Sequence, residues 1–183
     1  LVPERRSVRA GHLVPVSTYR LQLGADLTFD DVRERVPYYA SLGVTHLYLS
    51  PVLEAAPGST HGYDVVDHGR VSEVLGGETG LRRLADAAHA AGLGLVLDIV
   101  PNHMAVPTPA WHNRALWSVL SDGPASPYAA WFDVDWSAGD GALLMPVLGD
   151  RVGAVLARDE LRLTTEDVPG DGVRTVLRYH DHV

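Results

Sequence analysis

Asp98, Asn102 and His103 fall within six positions at the end of an apolar run that reaches from residue 93 to residue 100 with Asp98 as its one charge. A carboxylate, a carboxamide and an imidazole so close together can orient a polar ligand by hydrogen bonds. The same Asp98 and Asn102 can equally well satisfy each other and the neighbouring backbone, as buried polar groups must. A second group is Gly58-Ser59-Thr60-His61-Gly62-Tyr63-Asp64. Here Tyr63 offers a flat face of the kind that stacks on a sugar ring, His61 and Asp64 can bond its hydroxyls, and the two glycines let the backbone come close. A plain glycine-punctuated turn has much the same composition.

Other patterns carry less chemistry. Tyr179-His180-Asp181-His182 has two imidazoles and a carboxylate but no fourth ligand at a metal-site spacing, so a solvated terminus is expected and no metal. Trp111, Trp117, Trp131 and Trp136 could line a carbohydrate face or fill a small core. Gly76-Gly77-Glu78-Thr79-Gly80 lacks the Lys and the placement of a phosphate loop. There is no Gly-x-Ser-x-Gly elbow and no cysteine to act as a nucleophile.

The elements that must position these groups follow from hydrophobic period. Residues 16–23 alternate as a strand, with Ser17, Tyr19, Leu21 and Leu23 on one side. Thr28 and Asp31 have capping-box spacing, so a helix starts there, and Pro37 kinks it or begins a second segment. Gly43 closes it. Residues 44–49 form a second strand, residues 51–78 a long loop without clean period, and Thr79 caps a helix that runs to Ala91. Residues 93–100 are then a third strand, buried on both faces, and Pro101 stops its ladder. Strands that alternate with helices predict βαβ units and a parallel sheet. After Met104 the character changes to a helix near residues 111–120 and short antiparallel strands at 143–148, 152–157, 161–164 and 175–179. The predicted organisation is a lead-in over 1–15, three βα units over 16–104, and a small β-rich subdomain over 105–183.

Bulk properties bound the partners. Net charge is −8 over 183 residues, and every one of the basic residues is Arg. That argues against nucleic acid or an anionic membrane surface and suits a neutral ligand such as a sugar. Without cysteine, neither disulfides nor thiolate metal sites arise. The first residues, Leu1-Val2-Pro3-Glu4-Arg5-Arg6, show neither an initiator Met nor an apolar signal region, so a cytoplasmic and processed or cut chain is expected.

Leu97-Asp98-Ile99-Val100-Pro101-Asn102-His103 resembles the first signature region of the α-amylase superfamily, glycoside hydrolase family 13, and Gly62-Tyr63-Asp64 is similar to its sugar-stacking loop. Residues 17–23, 47–51, 58–64, 122–128 and 132–136 resemble the branch of that family that forms maltooligosyl trehalose. The resemblance implies a (β/α)8 barrel, of which this chain holds the first three units, with a B subdomain inserted after strand three. It implies an intramolecular transglycosylation, an isomerase-type glucosylmutase reaction, that turns the reducing-end α-1,4 linkage of a maltooligosaccharide or glycogen-derived α-glucan into α,α-1,1.

By that resemblance Tyr63 stacks on the sugar beside the broken bond, His103 and Asp64 bind hydroxyls, and Asn102 and Asp98 brace the strand end. Arg20 and His61 are further contacts. The family's nucleophile, acid/base and third carboxylate sit at the ends of strands four, five and seven. None of Asp133, Asp135, Asp140 or Asp181 lies in its Gly-Phe-Arg-x-Asp setting, so the catalytic carboxylates are expected beyond Val183 and the chain alone is expected to be inactive. Three strands cannot close a barrel, and the third would show a hydrophobic edge. No cofactor is expected; some members of the family bind calcium, yet no oxygen-rich cage stands out. Two other readings stay open: another α-glucan hydrolase or glucosyltransferase of the family, and a carbohydrate-binding protein without turnover.

Overall fold

A computed structural model describes residues 14–168 and 172–182. Most of the expected lead-in, the terminal-signal reading and part of the turn at 170–172 lie outside these residues. The chain divides into two compact units that meet in sequence at Met104 and Ala105.

In the first unit three short strands, β1 (Thr18–Leu21), β2 (His46–Leu49) and β5 (Gly94–Leu97), form a parallel sheet in the order β1-β2-β5. Their carboxyl ends are level, with Leu21, Leu49 and Leu97 in register. Helix α1 (Phe29–Glu34) starts where the capping box predicts: Asp31 accepts from the Thr28 N–H at 2.9 Å, and Thr28 Oγ1 accepts from the Asp31 N–H at 3.4 Å. Helix α2 (Val36–Ser41) carries Pro37 in its first turn, where the missing N–H costs no helical bond. Gly43 follows at φ +80°, the left-handed closure that glycine adopts without strain. Helix α3 (Gly77–Ala90) packs against α1, and Leu21, Phe29, Val32, Leu47, Leu49, Leu84 and Ala88 meet in the core between helices and sheet.

Three expectations for this unit are corrected. The long loop holds an antiparallel hairpin, β3 (Leu53–Ala55) with β4 (Val65–Val71). Its register shifts on both sides of Glu54, which erases the two-residue period by which a strand is recognised. Helix α3 begins at Gly77 after Gly76 at φ +109°, and no side chain caps it. Gly80, inside that helix, is needed because a Cβ there meets the Phe29 ring at 3.2 Å. Strand β5 ends at Leu97, and it is not buried on both faces. Leu97 is 41% and Ile99 64% exposed, because β5 is the edge of the sheet among the described residues.

In the second unit a 3-10 turn (Ala110–His112) leads into α4 (Arg114–Asp122), whose N-cap Asn113 accepts from the Leu116 N–H at 3.0 Å. Residues 152–157 are not a strand but helix α5 (Val152–Ala157). A six-residue apolar run fits either state by pattern alone, and the two alanines favour the helix. Residues 143–148 form no strand, since Pro146 has no N–H for a ladder. The hairpin of β6 (Leu161–Val168) and β7 (Gly172–Tyr179) is real and longer than expected. With one hairpin beside several helical segments, the described part of this unit is mixed and not β-rich. No helix among the described residues is long and apolar enough to cross a membrane.

Candidate functional site

Arg20 on β1, Tyr48 on β2 and Val96 on β5 occupy one register line across the sheet. Successive side chains of a strand alternate faces, so Asp98, two positions after Val96, lies over the same face. The Asp98 N–H still donates to the Leu49 carbonyl at 2.9 Å, which fixes the backbone just past the end of β5. Asp98 Oδ2 then accepts from the Tyr48 hydroxyl at 3.2 Å and from the Tyr63 hydroxyl at 2.5 Å, with Arg20 Nη2 at 3.6 Å. Arg20 Nη2 also donates to the Tyr63 oxygen at 2.9 Å, and its guanidinium lies over the Tyr48 ring, 5.3 Å from the centroid.

Tyr63 comes from the loop between β3 and β4, where Gly58 and Gly62 both take positive φ. A Cβ on Gly62 comes within 3.0 Å of the Pro51 carbonyl, so this loop closes on the end of β2 only with glycine there. The loop is braced from within. Asp64 Oδ1 accepts from the Ser59 hydroxyl, and Ser59 Oγ accepts from the Gly62 N–H at 3.1 Å. His61 Nδ1 accepts from the Tyr63 N–H at 3.0 Å, which puts the imidazole proton on Nε2. With Nδ1 so used, its 3.7 Å approach to Asp64 is not an ion pair. The His61 ring lies 6.0 Å from the Tyr63 ring at 28°.

The electrostatics agree with the geometry. The Tyr63 hydroxyl, against some burial and ahead of Tyr48 and Arg20, holds the Asp98 carboxyl below the usual carboxylate range. In return the Asp98 carboxylate, with partial burial, raises the Tyr63 phenol above its ordinary value, while Arg20 opposes it. An oxygen that already receives two hydroxyls beside a guanidinium is a poor nucleophile. Asp98 is therefore an anchor for Arg20, Tyr48 and Tyr63, and the exposed ring of Tyr63 is left to meet a ligand.

Of the residues singled out from sequence, Arg20, Tyr63 and Asp98 join in this cluster, and His61 and Asp64 support the loop that carries Tyr63. Asn102 and His103 form a separate exposed pair, with His103 Nδ1 3.0 Å from Asn102 Oδ1. Two members were missed. Tyr48 sits in an apolar run and reads as core, and its one signal in the sequence is a phenol hydroxyl, which needs a partner when partly buried. Gln22 accepts from Arg20 Nη1 at 3.2 Å and donates to the His61 carbonyl at 3.3 Å. The tryptophans form no single wall: Trp111 meets Trp117 edge-on at 6.0 Å, and Trp131 meets Tyr128 at 4.9 Å. No group of His, Asp and Glu among the described residues is arranged to hold a metal ion.

Compared with known proteins, residues 24–147 match the alpha amylase catalytic domain. A protein of Mycobacterium tuberculosis named as a maltooligosyl trehalose synthase is 44% identical over 180 residues, which covers 91% of this chain and 23% of that protein. The structure of maltooligosyltrehalose synthase from Arthrobacter ramosus is 49% identical with a TM-score of 0.77, covering 92% of this chain and 20% of that one. The 1,4-alpha-glucan branching enzyme of Kitasatospora aureofaciens is 37% identical over 103 residues, or 54% of this chain and 14% of the enzyme. The chain thus spans about a fifth of the length of the first two of these proteins.

Proposed function

The chain belongs to the alpha-amylase family, and from that premise we propose that it is the sugar-binding share of an enzyme that rearranges the reducing end of a maltooligosaccharide from an α-1,4 to an α,α-1,1 linkage. The observation that carries this is the fixed, exposed phenol ring of Tyr63 at the carboxyl edge of a parallel sheet, which is where parallel α/β folds do their chemistry. The substrate is a maltooligosaccharide or a glycogen-derived α-glucan, and the reaction is cytoplasmic. In the same reading, residues 16–104 are the first three units of a (β/α)8 barrel and residues 105–183 belong to a B subdomain inserted after the third parallel strand. Level strand ends and sheet edges left open among the described residues support it.

The reaction is a retaining transfer between two carboxyl groups about 5–5.5 Å apart. One attacks the anomeric carbon next to the reducing-end glucose. The other protonates the departing glucose oxygen, then takes the proton from that glucose's own anomeric hydroxyl as it attacks the glycosyl intermediate. Glucose must turn in place before water arrives, so exclusion of water separates rearrangement from hydrolysis. Asp98 is committed to its anchoring contacts, and both reacting carboxylates come from polypeptide beyond these residues. Tyr63 stacks on the sugar that keeps its place. Asp64 and His103 meet its hydroxyls, the latter through Nε2 when Nδ1–H bonds to Asn102.

The test is a reducing-end assay on maltohexaose with the polypeptide that carries this sequence. Loss of reducing ends at constant molecule number supports the rearrangement. A rise in reducing ends means hydrolysis, and binding without either change means a carbohydrate-binding protein. The 183-residue chain by itself is expected to give no product, and formation of a non-reducing glucan by it contradicts the assignment of the carboxylates elsewhere.

A further inference from the structure

We propose that Tyr48 is a positioning residue that sets the tilt of the Tyr63 ring through the Arg20–Asp98 pair, with Gln22 as a second hold on the same pair. The proposal rests on the reading of Tyr63 as the sugar platform and adds to it what keeps that platform still.

Tyr63 lies in a loop whose glycines at 58 and 62 both take positive φ, and it belongs to no strand. Its ring direction therefore depends on where its hydroxyl is tied. That hydroxyl accepts from Arg20 Nη2 at 2.9 Å and donates to Asp98 Oδ2 at 2.5 Å, so it has one bond inward and one outward. Both partners belong to the outer strands of the sheet. Arg20 is a long side chain on an edge strand, 41% exposed, and Asp98 stands just past the end of another edge strand. Tyr48 restrains both at once: its hydroxyl donates to Asp98 Oδ2 at 3.2 Å, and its ring lies under the Arg20 guanidinium. It can do so because β2 is the middle strand, bonded on both sides, and its backbone is the most constrained of the three.

Gln22 closes the circuit. Its carbonyl oxygen accepts from Arg20 Nη1 at 3.2 Å, and its amide donates at 3.3 Å to the carbonyl of His61, two residues before Tyr63. The guanidinium is thereby tied to the loop that carries the platform. Neither Tyr48 nor Gln22 needs to touch the sugar for this. Each acts by removing freedom from Arg20, and through Arg20 from Tyr63.

The experiment is a double-mutant cycle on maltohexaose affinity, measured by titration calorimetry, with Tyr48→Phe, Tyr63→Phe and the pair together. Tyr63→Phe keeps the stacking ring and removes the tie. Each single variant is expected to bind about three- to tenfold more weakly, the scale of one hydrogen bond. The pair is expected to bind no more weakly than Tyr63→Phe alone, because Tyr48 then has nothing left to hold. Losses that multiply in the pair, or unchanged affinity in Tyr48→Phe, overturn the proposal. If Tyr48→Phe does not fold, Gln22→Ala replaces it in the same cycle with the same criteria. A parent polypeptide that fails to bind maltohexaose sinks the sugar-binding reading itself and this inference with it. Parent binding with multiplied losses sinks the inference alone.

Discussion

Asp98 Oδ2 receives two phenol hydroxyls beside one guanidinium, and the consequences of that arrangement are testable by pH. The folded Asp98 carboxyl titrates below the usual range near about 4, so its contribution is complete above that range and is lost as pH falls through the lowered value. Tyr63 is shifted the other way. Its proton stays on up to the ordinary phenol range near about 10 and leaves only as pH rises through the raised value. The Asp98–Tyr63 tie is therefore expected to be constant between these limits and to weaken outside them, and Asp98→Asn is expected to remove the acid limb of maltohexaose affinity. An acid limb that survives in Asp98→Asn assigns the titration to another group. Truncation of the ring asks a different question. Tyr63→Ala is expected to weaken affinity by more than about tenfold, beyond the loss in Tyr63→Phe, because stacking is lost with the tie. At this scale sequence reading singled out Arg20, Tyr63 and Asp98, which the structure brings together, whereas Asn102 and His103, close to Asp98 in sequence, pair apart from it. That reading missed Tyr48 because its partners come from the neighbouring strands, where only the register brings them together, and Gln22 because one of its two ties runs to the His61 carbonyl, 39 residues away in a loop.

The sheet that creates this register depends on close approach at its other end. A Cβ built on Gly94 falls 2.3 Å from the His46 ring, which is itself buried in the neighbouring strand. Gly94→Ala is expected to destabilise the protein by about 1–3 kcal/mol through overpacking, read as a lowered Tm. Gly153, inside α5, has nothing within 4 Å of such a Cβ, and there the same exchange is expected to stabilise by about 0.5–1 kcal/mol. Equal effects at the two positions contradict this account of the sheet. The parallel strands, the Thr28 cap and the Gly43 closure were legible because each rests on local chemistry. The β3–β4 hairpin was not, because its register shifts around Glu54 and its first strand has only three residues, Leu53–Ala55. Helix α5 was mistaken for a strand for the opposite reason, since its composition is apolar throughout and no polar face marks the period.

For the whole molecule, the claim is that a fixed platform at one sheet edge holds a glucan while its last glucose is detached, turned and joined again head to head. The measurement that tests this most directly uses maltohexaose labelled with carbon-13 at C1 of the reducing glucose, mixed with the polypeptide that carries this sequence and an excess of unlabelled glucose, and followed by NMR. The account predicts that the two hemiacetal signals of the label disappear into a single acetal signal of an α,α-1,1 linkage, with no dilution by the added glucose. Label that appears as free glucose, or that remains in its hemiacetal signals, contradicts it.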